Sequence, residues 1–281
     1  MKKLMYVLMV ALIMGCGIGV KVVSIRSYEP IAMHEPFALL EEDDPLDTAG
    51  AELVARIRTT DKGMTVRCDY PAVLDTLKAL ARSMGANLVK IDRHMLPSVY
   101  GSSCHRVEAR LYRVEDATPF EEIITWYPER RLRLVDFKGD TAARPFRAAT
   151  FCGITYHGNY AANKLILTIE AWFDHQGSYF KHGDDDMSVL AHEQVHFDIA
   201  EVYARMLRKR IDGTSFIGKD YNSVLHDLHM VVLREMTIEQ DRYDASVYAD
   251  PAMQPSWSDS VSARLADLDP FRSHTVTVRI R

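Results

Sequence analysis

The segment Met187–Leu207 reads MSVLAHEQVHFDIAEVYARML and sets His192 and His196 four residues apart, with Glu193 between them. On a helix, positions i and i+4 lie about 40° apart around the axis, so both imidazoles can grip one ion. Zinc held by such a pair and one further protein ligand keeps an open position for water. A carboxylate at Glu193 could take a proton from that water and return it to the leaving amine of a peptide bond. Val189, His192, Val195, His196, Ile199, Tyr203, Met206 and Leu207 fall on one helical stripe. Both histidines therefore interrupt an apolar face, where imidazole nitrogens need partners.

The third ligand is less clear from spacing. Glu201 lies about 140° around the helix from His196 and cannot face the same ion; the same geometry excludes Asp198. Position 202 is Val, so no third histidine follows six residues after the second. A second helix over Asp220–Tyr248 carries an apolar stripe of Leu225, Leu228, Val232, Met236 and Tyr243, with Glu239 inside it. A carboxylate there wants a cation, which makes Glu239 one candidate ligand; an ordinary salt bridge is the alternative. Asp244, His226, His229 and Gln240 fall on the more polar face. His226 and His229 at i, i+3 could hold a surface metal, or simply face solvent. Tyr156, Tyr203, Tyr243 and Tyr248 are possible oxyanion donors that sequence does not rank.

These residues need a scaffold, and the rest of the chain predicts an α+β one. The 281 residues are 47% hydrophobic and 26% charged, with a formal net charge of −5. That excludes collagen-like, low-complexity and wholly disordered chains. An acidic balance with no basic run gives no basis for binding nucleic acid. Strands are predicted at Leu132–Phe137, Ala148–Tyr156 and Asn163–Phe173, then two long helices, Met187–Ile211 and Asp220–Tyr248, a helix near Ser258–Leu268 and a strand His274–Ile280. These make up a second domain, 118–281. An earlier small α+β module, 51–115, is predicted from the strand-like Met64–Cys68, the amphipathic helix Pro71–Met84 stopped by Gly85, and strands Ala86–Ile91 and His105–Val114. Residues 21–50, with Pro30, Pro36, Pro45 and the run EEDD, read as a solvated linker.

Residues 1–20 begin with Lys2-Lys3 and an unbroken apolar run from Leu4 to Gly15, the layout of a secretory signal. The uncharged stretch Leu4–Val20 is at the lower limit for spanning a bilayer, so an uncleaved anchor stays open. Ile13-Met14-Gly15-Cys16 resembles a lipobox, which implies lipidation at Cys16. Export would put the chain in the periplasm or on the envelope membrane. There Cys68, Cys104 and Cys152 imply one disulfide and one odd thiol.

Two resemblances add to this. Residues 51–115 resemble a module of bacterial lipoproteins: a cysteine-ended strand, a helix closed by a Gly-Ala-Asn turn (Gly85-Ala86-Asn87), then Cys104-His105 before an alternating strand. That likeness implies a Cys68–Cys104 disulfide; the module shows no acid, base or nucleophile constellation in sequence, so a packing or docking role is expected of it. Residues 118–250 resemble a bacterial family of secreted zinc-dependent proteases, through Asp136-Phe137-Lys138-Gly139, Ala148-Ala149-Thr150, Ala171–Phe173 and LAHEQVHFDIAEVYAR at 190–205. The family usually has Gly where this chain has Val195. It continues Tyr-Asp with a Thr and a His where this chain has Tyr243-Asp244, then Val247 and Ala249. Without that His, the resemblance carries the third ligand to Asp244. It also implies a zincin-like fold in which the strand before the metal helix holds an extended peptide.

The expected activity is therefore zinc-dependent peptide hydrolysis. His192, His196 and either Asp244 or Glu239 hold the Zn2+, and Glu193 is the general base and acid. The rival is a non-catalytic envelope lipoprotein, zinc-stabilised or metal-free, that docks partners. A zinc carrier using His226 and His229 is a third option.

Overall fold

A computed structural model of the chain describes residues 18–47, 50–61, 68–161 and 163–280. The chain divides into two compact units, Met1–Phe120 and Glu121–Arg281. Among the described residues no helix is long and apolar enough to cross a membrane. Residues 1–17, with the signal-like run and Cys16, lie outside the described residues, as do 62–67.

Unit 1 is a five-stranded sheet with one helix. Strands β1 (Gly19–Ser24), β2 (Ala38–Leu40), β3 (Glu52–Thr60), β4 (Leu88–Met95) and β5 (Arg106–Arg113) lie in the order β1-β3-β5-β4-β2, antiparallel except for β2 beside β4. Helix α1 (Tyr70–Ser83) has Pro71 in its first turn and buries Val73, Leu77 and Ala81. These pack with Val54, Ile57, Val89, Ile91 and Leu111 into one core. Gly85 follows at φ +74°, where a Cβ would stand 2.5 Å from Tyr28, so glycine is required there.

Two expectations change here. The 21–50 stretch is not a solvated linker, because it supplies β1 and β2. The reason is local: Val20 and Val22 alternate on one face and pack on the core, while Phe37, Ala38 and Leu40 are buried. Prolines and acidic residues between these pieces masked them. Gly19 and Val20, placed at the end of the export segment, pair with Thr60 and Thr59. The strand expected at Met64–Cys68 falls largely outside the described residues.

Unit 2 is built around β9 (Lys164–Asp174). Along one edge β9 pairs with β8 (Cys152–Ala161); along the other it pairs with β11 (Thr275–Arg279) and then β6 (Ile123–Thr125). A separate two-stranded ribbon joins β7 (Ala148–Ala149) and β10 (Tyr179–Phe180). Leu165, Leu167, Ile169, Ala171 and Phe173 alternate inward from β9. They meet α2 (Asp186–Asp212), which packs on the sheet; α3 (Tyr221–Ala249) and α4 (Gln254–Asp267) pack on α2. The strand expected at Leu132–Phe137 is instead a 3-10 turn, Leu134–Asp136, because Asp136 turns inward to Arg130. β9 has neighbours on both edges, so it cannot add a peptide strand as the resemblance implied. Among the described residues β6, β8 and β11 each pair with β9 alone, and on β8 the Ile154 carbonyl already accepts from His229 Nε2 at 2.9 Å.

Candidate metal centre

From His192 to Arg205 every residue of α2 is buried. A helix enclosed on all sides must bury its polar residues in pairs, and α2 does so. Gln194 accepts from the Leu132 amide at 2.7 Å and donates to Asp198 at 2.9 Å. Asp198 also accepts from Trp126 Nε1 at 2.8 Å and pairs with Arg131. One turn on, Glu201 binds Arg205 and Arg208, and fully buried Arg208 reaches the Ile169 carbonyl of β9. The polar residues of the motif other than the histidines and Glu193 thus tie the helix to its surroundings.

The histidines face α3. His192 Nε2 and His196 Nε2 are 3.2 Å apart, and each lies 3.0 Å from Asp244 Oδ1. These three donors form one of two groups of three, among the described residues, compact enough to coordinate a metal ion. Four-coordinate zinc with bonds of about 2.0–2.1 Å has donors roughly 3.3 Å apart, close to this triangle. The donor set of two imidazoles and a carboxylate also suits zinc chemically. The imidazole side chains are 9% exposed and Asp244 is 36% exposed, so the cluster opens to solvent on the Asp244 side. Burial works against the Asp244 charge, but its bonds to His192 and His196 outweigh that and hold its carboxyl well below the usual range.

Tyr243 fixes the imidazoles. Its ring stacks on His192 at 4.6 Å and meets His196 edge-on at 5.0 Å. Its hydroxyl donates to the His192 carbonyl at 3.3 Å, and burial pushes its pKa up. Gln240, one turn earlier, donates to the His196 carbonyl at 3.5 Å. The α3 residues buried against the unit, Leu225, Val232, Met236, Tyr243 and Val247, repeat at alternating steps of seven and four. That seam places Asp244, which a straight helical wheel assigns to the polar face, at the seam's edge and within reach of α2.

Glu193 is 3% exposed, and its Oε2 has no hydrogen-bond partner among the described residues. Burial raises its pKa above the ordinary carboxylate value; His196, a Thr150 hydrogen bond and His192 oppose the rise, and Asp244 adds to it. The Thr150 hydroxyl also donates to the Glu193 carbonyl at 3.4 Å.

The other expected residues sit elsewhere. Glu239 is not a ligand of the pair. It accepts from Tyr203 at 2.6 Å and is ion-paired with Arg264 on α4. His229 is engaged with Ile154 and Tyr156, so it is not free to form a surface site with His226. Of the four tyrosines, Tyr243 and Tyr203 are committed as described and Tyr156 packs on His229. Tyr248 is 61% exposed, with its ring 5.8 Å from His192 and stacked on Phe146. Cys152 is a free thiol behind His196, its pKa pushed by burial up to about 12. In unit 1, Cys68 and Cys104 form a disulfide.

The second group with metal-ligand spacing, Glu121, Asp136 and His175, was not visible in the sequence. Its carboxylates already have a cation. Arg130 is bidentate to Asp136 at 2.9 and 3.0 Å and reaches Glu121 at 2.9 Å. Burial works against the Asp136 charge, yet the guanidinium holds its carboxyl below the ordinary value. An added ion would meet that positive charge, so this group is best described as a buried ionic lock. Its members come from separate loops with no shared period, which is why spacing could not reveal it. No protein-family model matches the chain, and no match is found among curated proteins or solved structures.

Proposed function

We propose that unit 2 is a divalent-metal domain of an exported envelope protein, and that His192, His196 and Asp244 hold zinc. The triangle of three donor atoms, each 3.0–3.2 Å from the other two and contributed by two helices, carries this reading. The disulfide in unit 1 supports an oxidising compartment, as does the signal-like N-terminal sequence.

A non-catalytic role asks for nothing beyond that triangle. An ion there clamps α3 to α2 and stabilises the fold, leaving unit 1 to dock partners. Val195, Val247 and Ala249, where the protease family has Gly, Thr and His, favour this use.

A hydrolytic role adds Glu193. Zinc, when bound, supplies a Lewis acid with an open position. Glu193 then holds or releases a proton at Oε2, and its raised pKa brings it nearer to neutral pH, where such exchange is efficient. Asp244 offsets part of the ion's charge and Tyr243 keeps the imidazoles in place. Tyr248 stands on the open side, where its hydroxyl can meet a substrate oxygen. The predicted reaction is hydrolysis of a peptide bond.

Zinc content together with activity on an unbiased peptide library separates the two uses. One tightly held zinc, with cleavage that Glu193→Gln abolishes, establishes the hydrolase. One zinc without cleavage, and a fall in melting temperature on chelation, establishes the structural use. Protein that binds no zinc at micromolar concentration refutes both.

A further inference from the structure

We propose that His94 and His105 of unit 1 are the two protein donors of a second metal site, with Asp69 as its nearby counter-charge, and that it takes copper(II). His94 lies near the end of β4 and His105 just before β5, two antiparallel partners whose register shifts between Ile91 and Arg93. His94 Nε2 and His105 Nδ1 are hydrogen-bonded at 2.8 Å, so an ion bound between them would take the place of the shared proton. Both residues are half-buried, so an ion can reach them from solvent and keep water in its remaining positions.

The described surroundings hold these rings in place. Tyr70 stacks on His94 at 4.0 Å, nearly parallel, and packs against His105 at 5.7 Å. The Tyr70 hydroxyl donates to Glu41, and the His94 amide donates to Glu42 at 2.8 Å. The disulfide sets the rest of the geometry. Asp69 directly follows Cys68 and His105 directly follows Cys104, and the His105 amide donates to the Cys68 carbonyl at 3.0 Å. Asp69 Oδ1 is buried and has no hydrogen-bond partner among the described residues. A buried, unmatched carboxylate oxygen is costly, and a nearby cation relieves the cost.

The spacing is compatible with a right-angled ion. Two nitrogens each about 2.0 Å from an ion and at right angles to it stand roughly 2.8 Å apart, whereas tetrahedral donors stand roughly 3.3 Å apart. The His94–His105 distance, set by their hydrogen bond, lets both nitrogens take adjacent right-angled positions on one ion without moving the rings apart. Right-angled nitrogen and oxygen donors favour copper(II), which also leads the divalent affinity order. This site is independent of the use made of unit 2.

The test is copper(II) titration of the full chain with its disulfide intact, read by calorimetry and by electron paramagnetic resonance. In the double variant His192→Ala, His196→Ala one copper is expected per chain, with a nitrogen-coupled signal. In that background His94→Ala or His105→Ala should weaken binding at least 100-fold, and Asp69→Asn several-fold. His94→Gln keeps a polar group in place and is expected to lose copper while retaining the parent melting temperature, which separates metal loss from misfolding. Copper binding that survives His94→Gln and His105→Ala, that occurs only through His192 and His196, or that is absent at micromolar concentration overturns the proposal.

Discussion

Asp244 on α3 brings its Oδ1 within 3.0 Å of His196 Nε2 on α2, across 48 residues of sequence. Metal loading is the sensitive measure of this contact. Asp244→Ala removes one of three ligands and is expected to weaken zinc at least 100-fold by competition with a chelating dye. Glu239→Gln, which touches Tyr203 and Arg264 rather than the imidazoles, should leave zinc affinity within about twofold. If the two variants bound zinc equally, the ligand assignment would be wrong.

Glu193 separates a working site from a structural one through stability as well as turnover. Its Oε2 is buried without a partner, a cost of about 1–3 kcal/mol that a neutral amide reduces. Metal-free Glu193→Gln should therefore melt higher than wild type, while zinc content is unchanged. A lower melting temperature would mean that the carboxylate has a stabilising partner, and its proposed role as a poised base would be lost.

The lock at Arg130 predicts a pH dependence. The Asp136 carboxyl has a lowered pKa in the folded state, so it binds its proton more readily when unfolded. Its contribution is fully present above the unfolded value of about 3.9, and is lost as pH falls through the lowered folded value. Urea unfolding between pH 6 and acid should show this loss in wild type. Arg130→Met should be destabilised by about 3–5 kcal/mol at neutral pH and show a shallower acid dependence. An unchanged acid slope in that variant would mean that Arg130 does not hold Asp136 ionised.

In unit 1, reduction of Cys68–Cys104 opens a loop of 36 residues, for which chain entropy gives roughly 4 kcal/mol. Chemical denaturation with and without reductant measures it. Loss of less than about 1 kcal/mol would show that the sheet holds these ends without the bond.

Cys152 should resist alkylation. With its pKa raised to about 12, the thiolate is on the order of one molecule in 10⁵ at pH 7. Native protein treated with iodoacetamide should stay unmodified at Cys152 until denatured, as read by mass spectrometry; rapid native labelling would contradict the buried placement.

Sequence revealed the parts of this molecule that repeat. Helix α2 was expected over Met187–Ile211 and spans Asp186–Asp212; α1 and α3 agree with their expected limits to within a residue or so. His192 and His196 were recognisable because two polar residues interrupt an apolar period. Features made by tertiary contact were hidden. Strand β2 has three residues, too few to show alternation, and is defined by its pairing with β4. Asp136 was assigned to a strand because Leu132, Leu134 and Phe137 surround it in sequence; the buried guanidinium of Arg130 decides otherwise. Glu239 was offered as a ligand from its place on a stripe, but helical angle does not say which neighbour lies opposite, and there it is Arg264.

Arg208 has no exposed surface and joins Glu201, the Ile169 carbonyl of β9 and the Phe271 carbonyl. It bolts one end of α2 to the sheet about three turns beyond His196. Gln194 and Asp198 secure the other end to the 126–132 segment. With its rod clamped at both ends, α2 would keep His192 and His196 at their spacing without an ion, so whatever firmness metal lends the proposed centre would fall on the α3 contact and not on the seat of α2 against the sheet.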